Sequence, residues 1–191
     1  MKELILLIGP SGIGKSTWIK EHGLRPYVIS ADIIRQMLGF ATYVERNGKT
    51  VPVIKDHDDT IVWRYFNKML EDSVKYSDLT VVDNTNTTLM ALDKMHEVAI
   101  KYHLQIETID FVKPYLVNGT LDDVQTFLLN RNEKRDQYPV PEYVIKDQIK
   151  QYKDTMQIVS KNEDSFAWLN PLSKTKLDRM TLKELLKTLK N

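Results

Sequence analysis

A stretch near the start of the chain has the residue types and the spacing of a phosphate-binding loop. It fits the pattern G-x-x-x-x-G-K-[ST] at every fixed position and reads Gly9-Pro10-Ser11-Gly12-Ile13-Gly14-Lys15-Ser16-Thr17. Its glycines let backbone N–H groups wrap around phosphate oxygens, Lys15 can reach the β- and γ-phosphates, and the Ser16 hydroxyl can hold Mg²⁺. The loop therefore predicts a nucleoside triphosphate site, and a glycine-rich turn that fits by chance is the alternative interpretation.

A carboxylate and an arginine one helical turn apart form a second candidate group. Asp32 follows an apolar segment that predicts a strand, and Arg35 comes three residues later. Because ligands of open parallel sheets bind outside the carboxyl ends of the strands, we expect Asp32 on the same edge as the phosphate-binding loop. There Asp32 can accept the proton of an attacking hydroxyl, and Arg35 can bind an anionic substrate group. A helix N-cap and a surface arginine are the alternative roles.

Polar residues also follow the next predicted strand along the chain, and they read Asp83-Asn84-Thr85-Asn86. An Asp at such a strand end often supports the Mg²⁺ shell in P-loop enzymes, so we predict Ser16 and Asp83 as the metal-binding residues. The three residues after Asp83 supply neutral hydrogen-bonding groups at the crevice. An ordinary polar loop that caps the following helix is the alternative interpretation.

Two arginines near the end of a later helical pattern form the last candidate group. Arg131 and Arg135 are four residues apart, so one helix face is predicted to carry both. Two guanidinium groups placed there can clamp a transferring phosphoryl group from above, in the manner of a lid. A solvated, charged helix end is the alternative interpretation, because cations also suit the dipole there.

The elements that must position these groups alternate between apolar runs and helical patterns. Strands are predicted at residues 3–8, 26–30, 79–83 and 104–112, and helices at residues 17–21, 31–38, 58–76, 88–102, 121–131 and 142–156. This alternation predicts an α/β fold with a parallel sheet of about four to five strands and helices on both faces.

One internal segment, residues 39–56, breaks the alternation and is predicted to be irregular around the turn signal Asn47-Gly48. Four aromatic residues in or near it can stack on a nucleobase, and they are Phe40, Tyr43, Trp63 and Tyr65. For Trp63 and Tyr65, core packing is the preferred interpretation.

The signals weaken beyond residue 158. We therefore predict a P-loop domain over residues 1–158 and a C-terminal extension over residues 159–191 that packs on the same domain. Within the extension, the pattern predicts a short strand at residues 166–169 and a terminal helix at residues 181–189.

Composition narrows the class of protein. The 191 residues are 42% hydrophobic and 28% charged, which predicts one globular unit with a sizeable core. Cysteine is absent, which excludes disulfides, thiolate catalysis and Cys-based zinc sites. A net charge of +1 does not favour extensive duplex binding, although a short local contact with nucleic acid remains open. The chain opens on its first strand and has no long apolar run, so we expect a cytoplasmic protein without a membrane partner.

In this combination and order, the motifs resemble the polynucleotide 5′-hydroxyl kinases of bacteriophages and animal repair enzymes. The resemblance covers about residues 1–155. Besides the phosphate-binding loop, the segments that carry it are Ser30-Ala31-Asp32-Ile33-Ile34-Arg35-Gln36, Val82-Asp83-Asn84-Thr85-Asn86, Arg131-Asn132-Glu133-Lys134-Arg135 and Val140-Pro141-Glu142-Tyr143-Val144-Ile145. The loop is common to many kinases, whereas the other segments together are more specific.

The resemblance implies a P-loop kinase fold with a helical lid, ATP and Mg²⁺ as cofactors, and a nucleic acid end as the substrate partner. It implies that Asp32 is the general base and that Arg35 contacts the substrate phosphate next to the attacking hydroxyl. The other implied roles are phosphate and Mg²⁺ binding by Lys15 and Ser16, lid contacts by Arg131 and Arg135, and an acceptor pocket lined by Asp83-Asn84-Thr85-Asn86.

Two departures from the family pattern bear on function. Ala31 and Ile33 flank Asp32, where family members often carry a second charged residue. No Asp-x-Asp-x-[TV] motif is present, so 3′-phosphatase activity is not expected. Two alternatives to a 5′-hydroxyl kinase stay open at this stage. One is a kinase of a hydroxymethylated base, a nucleoside or a small metabolite, and the other is a regulatory nucleotide-binding switch.

Overall fold

The computed structural model describes residues 2–54 and 59–169. The strands in these ranges are β1 (Glu3–Ile8), β2 (Val28–Ile29), β3 (Ala41–Arg46), β4 (Lys49–Ile54), β5 (Leu79–Val82) and β6 (Gln105–Asp110). The α-helices are α1 (Lys15–Glu21), α2 (Ala31–Met37), α3 (Thr60–Tyr76), α4 (Leu89–Lys101), α5 (Leu121–Glu133) and α6 (Glu142–Lys161).

Four of the strands form one parallel sheet in the order β2-β5-β1-β6. All six residues of β1 are buried, so apolar side chains cover both faces of the sheet at its centre. Such a continuous apolar run is typical of a parallel strand with helices on both sides. The sheet confirms the predicted α/β class and aligns the carboxyl ends of its strands along one edge.

The predicted helices that fall within the described residues are confirmed, with ends that differ by a few residues. Thr88 caps α4, because its side chain accepts a hydrogen bond from the backbone of Ala91. Thr120 and Asp123 form a capping box at the start of α5. The longest helix of the described residues, α6, runs five residues beyond its predicted end at residue 156 and reaches Lys161. None of the helices in the described ranges combines the length and the apolar character that a bilayer span requires.

The prediction of an irregular segment over residues 39–56 is wrong where the structure describes it. β3 and β4 form an antiparallel hairpin in which Arg46 pairs with Lys49. Asn47 and Gly48 connect them with φ angles of 52° and 72°, as a type I′ turn requires. The turn signal was present, but the strands were not recognised because only Val51 among their residues is buried and Pro52 lies in one of them.

Two aromatic residues are placed differently from the core packing expected of them. The buried face of α3 consists of Val62, Phe66, Leu70 and Val74. Trp63 and Tyr65 lie beside that face and are 41% and 44% exposed. A helix buries one stripe at a spacing of three to four residues, and the four aliphatic and aromatic residues of the buried face already fill it.

The predicted strand at residues 166–169 is also wrong. A short 3₁₀ helix covers Glu163–Phe166, and a turn follows it. Trp168 stacks on His96 of α4 with ring centroids 4.3 Å apart, and Leu169 is buried. The apolar residues therefore pack as a turn against the domain. The predicted helix at residues 181–189 lies outside the described residues, and the division at residue 158 stays a prediction.

Candidate functional site

The phosphate-binding loop connects β1 to α1 and depends on three glycines with left-handed backbone. Gly9, Gly12 and Gly14 have φ angles of 147°, 86° and 114°. A Cβ on Gly9 would lie 3.1 Å from a methyl group of Ile13 and 3.3 Å from the Cβ of Phe111. This backbone turns N–H groups inward in the nest that binds anions, and the first turn of α1 adds N–H groups that have no intrahelical acceptor.

The side chain of Lys15 is buried and folds back onto this loop. Its Nζ donates to the carbonyl oxygens of Gly9 and Pro10 at 2.5 Å and 3.0 Å. Burial lowers its pKa to about 8, while the charges of Asp83 and Asp32 oppose that shift and Arg135 adds to it. A buried ammonium group with incomplete charge compensation fits a site that receives an anionic triphosphate.

We expect nucleotide binding to take up protons at Lys15 above about pH 8. A triphosphate favours the charged ammonium, so its binding raises the pKa of Lys15 from about 8. Proton uptake is then small near pH 7, where Lys15 is already charged, and approaches about one proton per site near pH 9. Calorimetry of ATP binding in buffers of different ionisation enthalpy measures this number.

The Lys15→Met variant is the matched control, because it has no group that titrates at this position. Its residual nucleotide binding should show no additional proton uptake near pH 9. Equal uptake by the parent protein and this variant would contradict the assignment to Lys15.

Ser16 and Asp83 meet beside the loop. The Ser16 hydroxyl donates to Oδ2 of Asp83 at 3.2 Å. Burial raises the pKa of Asp83, and Lys15 and the Ser16 hydroxyl oppose the shift. Within residues 2–54 and 59–169, no group of three or more acidic or histidine side chains could hold a metal ion. One hydroxyl and one carboxylate nevertheless fit Mg²⁺, which typically takes one or two protein ligands together with substrate phosphates.

Asp32 and Arg35 lie on α2, at the same edge of the sheet. Nη1 of Arg35 donates to Oδ1 of Asp32 at 2.6 Å, and the Asp32 side chain is 66% exposed. Arg35 also donates from Nε to Oδ1 of Asp59 at 3.1 Å and from Nη2 to the other oxygen of that carboxylate. The predicted proximity of Asp32 and Arg35 is therefore observed. Asp59 was missed, because a residue 24 positions from Arg35 gives no spacing signal.

The residues after β5 contact the loop, β1 and α2. Oδ1 of Asn84 accepts a hydrogen bond at 3.0 Å from the backbone N–H of Ala31, the first residue of α2. The Thr85 carbonyl accepts from the N–H of Gly9 at 2.8 Å. Asn86 is 5% exposed, and its Nδ2 donates to the Leu7 carbonyl at 2.7 Å. Together they hold α2, the loop and β1 in place, and their contact with an acceptor stays a prediction.

The two arginines that were predicted to form a lid approach the loop from the end of α5. Nη1 of Arg131 is 3.9 Å from the position that a Cβ on Gly14 would take. Arg135 is half-buried, which lowers its pKa; Asp32 opposes the shift and Arg131 adds to it. Because α5 ends at Glu133, Arg135 lies beyond the helix, and the prediction that one helix face carries both arginines is wrong.

Asn132 fixes the segment that carries Arg135. It is 3% exposed, its Nδ2 donates to the Val140 carbonyl at 2.7 Å, and its Oδ1 accepts from the Val140 N–H at 2.8 Å. The same segment contacts the hairpin, because the N–H of Tyr138 donates to the Pro52 carbonyl at 2.8 Å. Sequence analysis did not identify this amide as a structural anchor.

We expect Asn132→Ala to lower the free energy of unfolding by about 2 kcal/mol, because both of its hydrogen bonds with Val140 are lost. In a chain of this length, that corresponds to a fall in Tm of roughly 4–8 °C, which calorimetry measures. Asn130→Ala is the control, because Asn130 is exposed on the same helix and Ala favours helix there. A parent-like Tm for Asn132→Ala would contradict the anchoring role.

One further contact reaches the loop from α6. Oε1 of Gln148 accepts a hydrogen bond from the backbone N–H of Ser11 at 2.8 Å. Gln148 was not predicted from the sequence either, because a glutamine on an amphipathic helix has no distinguishing pattern. The site thus combines groups from the loops after β1, β2 and β5 with groups from α5 and α6.

Comparison with known proteins finds a matching family model and many solved structures with a similar chain, among them the two that follow. The model, described as an AAA domain, matches residues 4–158. A tunicamycin resistance protein from Deinococcus radiodurans is 13% identical, with 84% of this chain and 95% of that chain covered and a TM-score of 0.43. A gluconokinase from Sinorhizobium meliloti 1021 is 13% identical, with 83% of this chain and 97% of that chain covered and a TM-score of 0.35. No curated protein matches the sequence.

Proposed function

The chain belongs to the AAA domain family, and from that premise we propose that it is an ATP-dependent phosphotransferase that moves the γ-phosphate of ATP to a hydroxyl group. The observation that carries the proposal is the position of Asp32. This exposed carboxylate lies in the first turn of α2, after β2, at the edge of the sheet that carries the phosphate-binding loop, which supports an acceptor site beside bound phosphates. A nucleotide switch without an acceptor has no use for such a base.

Each side chain then has a separate task in the reaction. Lys15 and the loop N–H groups bind the β- and γ-phosphates, and Ser16 and Asp83 would hold Mg²⁺, which when bound neutralises phosphate charge. Asp32 accepts the proton of the acceptor hydroxyl while the oxygen of that hydroxyl bonds to the γ-phosphorus. The bond from that phosphorus to the β–γ bridging oxygen breaks, and ADP leaves. Arg131 and Arg135 stabilise the charge of the group in transfer.

For the acceptor, we propose the 5′-hydroxyl end of DNA or RNA, single-stranded or locally unpaired. The motif resemblance supports this choice, and Arg35 is the residue assigned to the neighbouring substrate phosphate. Three of its N–H groups already bind Asp32 and Asp59, so such a contact would use its remaining N–H groups or displace Asp59.

A small hydroxyl compound or nucleoside is the second candidate acceptor. One arginine between two carboxylates gives the group of Asp32, Arg35 and Asp59 a net charge of −1 when all three are ionised. This charge does not attract a polyanion, and it suits a neutral acceptor whose hydroxyl must lose a proton. The hydroxymethylated base of a duplex remains a third member of the same reaction class.

The test is transfer of labelled γ-phosphate from ATP with Mg²⁺ to a matched panel. The panel contains 5′-hydroxyl DNA and RNA single strands, the same strands with a 5′-phosphate, a 5′-blocked duplex with hydroxymethylpyrimidine, nucleosides and sugars. Lys15→Ala serves as the control for contaminating kinases. Label confined to 5′-hydroxyl ends supports the nucleic acid acceptor, and label on the blocked duplex or a small compound reassigns it. Bound ATP without label on any acceptor would overturn the phosphotransferase proposal.

A further inference from the structure

Three polar side chains on one face of α6 reach residues at or beyond the carboxyl ends of three neighbouring strands. Gln148 binds the N–H of Ser11 after β1 at 2.8 Å, and Oε1 of Gln151 accepts from the Thr87 hydroxyl after β5 at 3.1 Å. The hydroxyl of Tyr152 donates to Oδ2 of Asp110, the last residue of β6, at 2.7 Å. Residues at these spacings share a helix face, so α6 joins the edge of the sheet that carries the site.

The Gln148 contact is the one that enters the phosphate-binding loop. Ser11 lies between Gly9 and Gly12, in a turn whose own backbone hydrogen bond, from Ile13 N–H to the Pro10 carbonyl, is long at 3.4 Å. The Gln148 contact is shorter and comes from a helix 137 residues away in sequence. A rigid element therefore holds the loop tip, where glycine would otherwise leave the backbone free.

We propose that Gln148 is a positioning residue that holds the phosphate-binding loop in its nucleotide-binding shape before ATP arrives. The inference rests on the proposed function only in that the loop binds a nucleotide. A preformed loop loses less conformational entropy on binding, so the contact contributes to nucleotide affinity without touching the phosphates. A neutral amide suits this place, because it accepts the Ser11 N–H without adding negative charge beside a triphosphate.

Two variants of Gln148 distinguish the effect of loop positioning on nucleotide affinity from the effect of charge beside the loop. Gln148→Ala removes the acceptor, and we expect nucleotide affinity to fall roughly 3- to 10-fold, the range for one hydrogen bond. Gln148→Glu keeps an acceptor for Ser11 but adds a carboxylate, so we expect the loop to stay protected while affinity for ATP falls through repulsion. Gln151→Ala is the matched control, because it removes the contact with Thr87 from the same helix face and leaves Ser11 untouched.

The experiment measures the Kd of a non-hydrolysable ATP analogue and amide hydrogen exchange of the nucleotide-free loop. In Gln148→Ala, the expected result is a higher Kd and faster exchange at the Ser11 amide. In Gln148→Glu, the Ser11 amide should stay protected. In Gln151→Ala, the Kd should equal that of the parent protein. A purely structural glutamine would lower thermal stability and leave Kd unchanged, and that result overturns the proposal. Equal losses of affinity in Gln148→Ala and Gln151→Ala overturn it as well.

The two measurements are nucleotide binding and amide hydrogen exchange. They test the role of Gln148 whether or not the protein transfers a phosphoryl group. If the Gln148 variants behave as expected but no acceptor is labelled, the positioning role stands and the phosphotransferase proposal fails. If the parent protein binds no nucleotide, both are overturned.

Discussion

Replacement of Asp32 by Asn is expected to lower the rate of phosphoryl transfer by about 10²- to 10⁴-fold, the range for general-base catalysis. Asn has the same shape and can still accept the hydrogen bond that Arg35 Nη1 donates, but it does not take a proton at neutral pH. The affinity for ATP should change little, because Asp32 lies on α2 and not in the phosphate-binding loop. Single-turnover transfer of labelled phosphate to the acceptor identified by the panel measures the loss.

The assay is best run near pH 7, because Asp32 also raises the pKa of Lys15. Without its charge, the pKa of Lys15 falls below about 8, and at a higher pH a neutral Lys15 would lower the rate for a separate reason. Asp59→Asn is the matched control, because it alters the other carboxylate that binds Arg35. Transfer by Asp32→Asn at the parent rate would assign the proton to another group.

The parts of the site that the sequence predicts are those coded by contiguous residues and those that directly follow a predicted strand. The loop from Gly9 to Thr17 contains its own glycines, cation and hydroxyl, so its conformation follows from local sequence. Asp32 and Asp83 follow predicted strands, and parallel strands bring their carboxyl ends to one edge. The hydrogen bond between Ser16 and Asp83, which are 67 residues apart, was predictable for that reason.

The parts that the sequence does not predict depend on the tertiary fold. Gln148 and Asn132 are ordinary polar residues of amphipathic helices until α6 packs beside the loop and Val140 folds back on α5. Asp59 acquires its role only because α2 and α3 lie side by side. The hairpin was missed for a different reason: its strands lack the apolar alternation that a half-buried sheet needs.

The hairpin is linked to the segment that carries Arg135, and its residues are unevenly buried. Val51 is buried, whereas Tyr43 is 72% exposed and lies opposite Pro52 on the other face of the hairpin. The Pro52 carbonyl binds the segment that carries Arg135. Because this hydrogen bond joins the two, movement of that segment would also displace the hairpin.

Removal of the Arg135 guanidinium is expected to lower the rate of transfer more than the Asp32→Asn substitution does. A positioned arginine that stabilises the transferring group typically contributes about 10³- to 10⁵-fold in kcat, so we expect Arg135→Ala to lose activity in that range. Arg135→Lys should recover only part of it, because an ammonium group lacks the planar pair of donors. Lys134→Ala is the matched control, because it removes the neighbouring exposed cation.

A second readout shows whether Arg135 acts at the loop even when activity is too low to measure. Arg135 lowers the pKa of Lys15, so its removal should raise that pKa above about 8. More of the free protein then carries a charged Lys15 near pH 9, and proton uptake on nucleotide binding should decrease at that pH. Lost transfer with unchanged proton uptake would separate Arg135 from Lys15 and assign the loss to another part of the lid. Lost transfer with reduced uptake places both cations around the same phosphates.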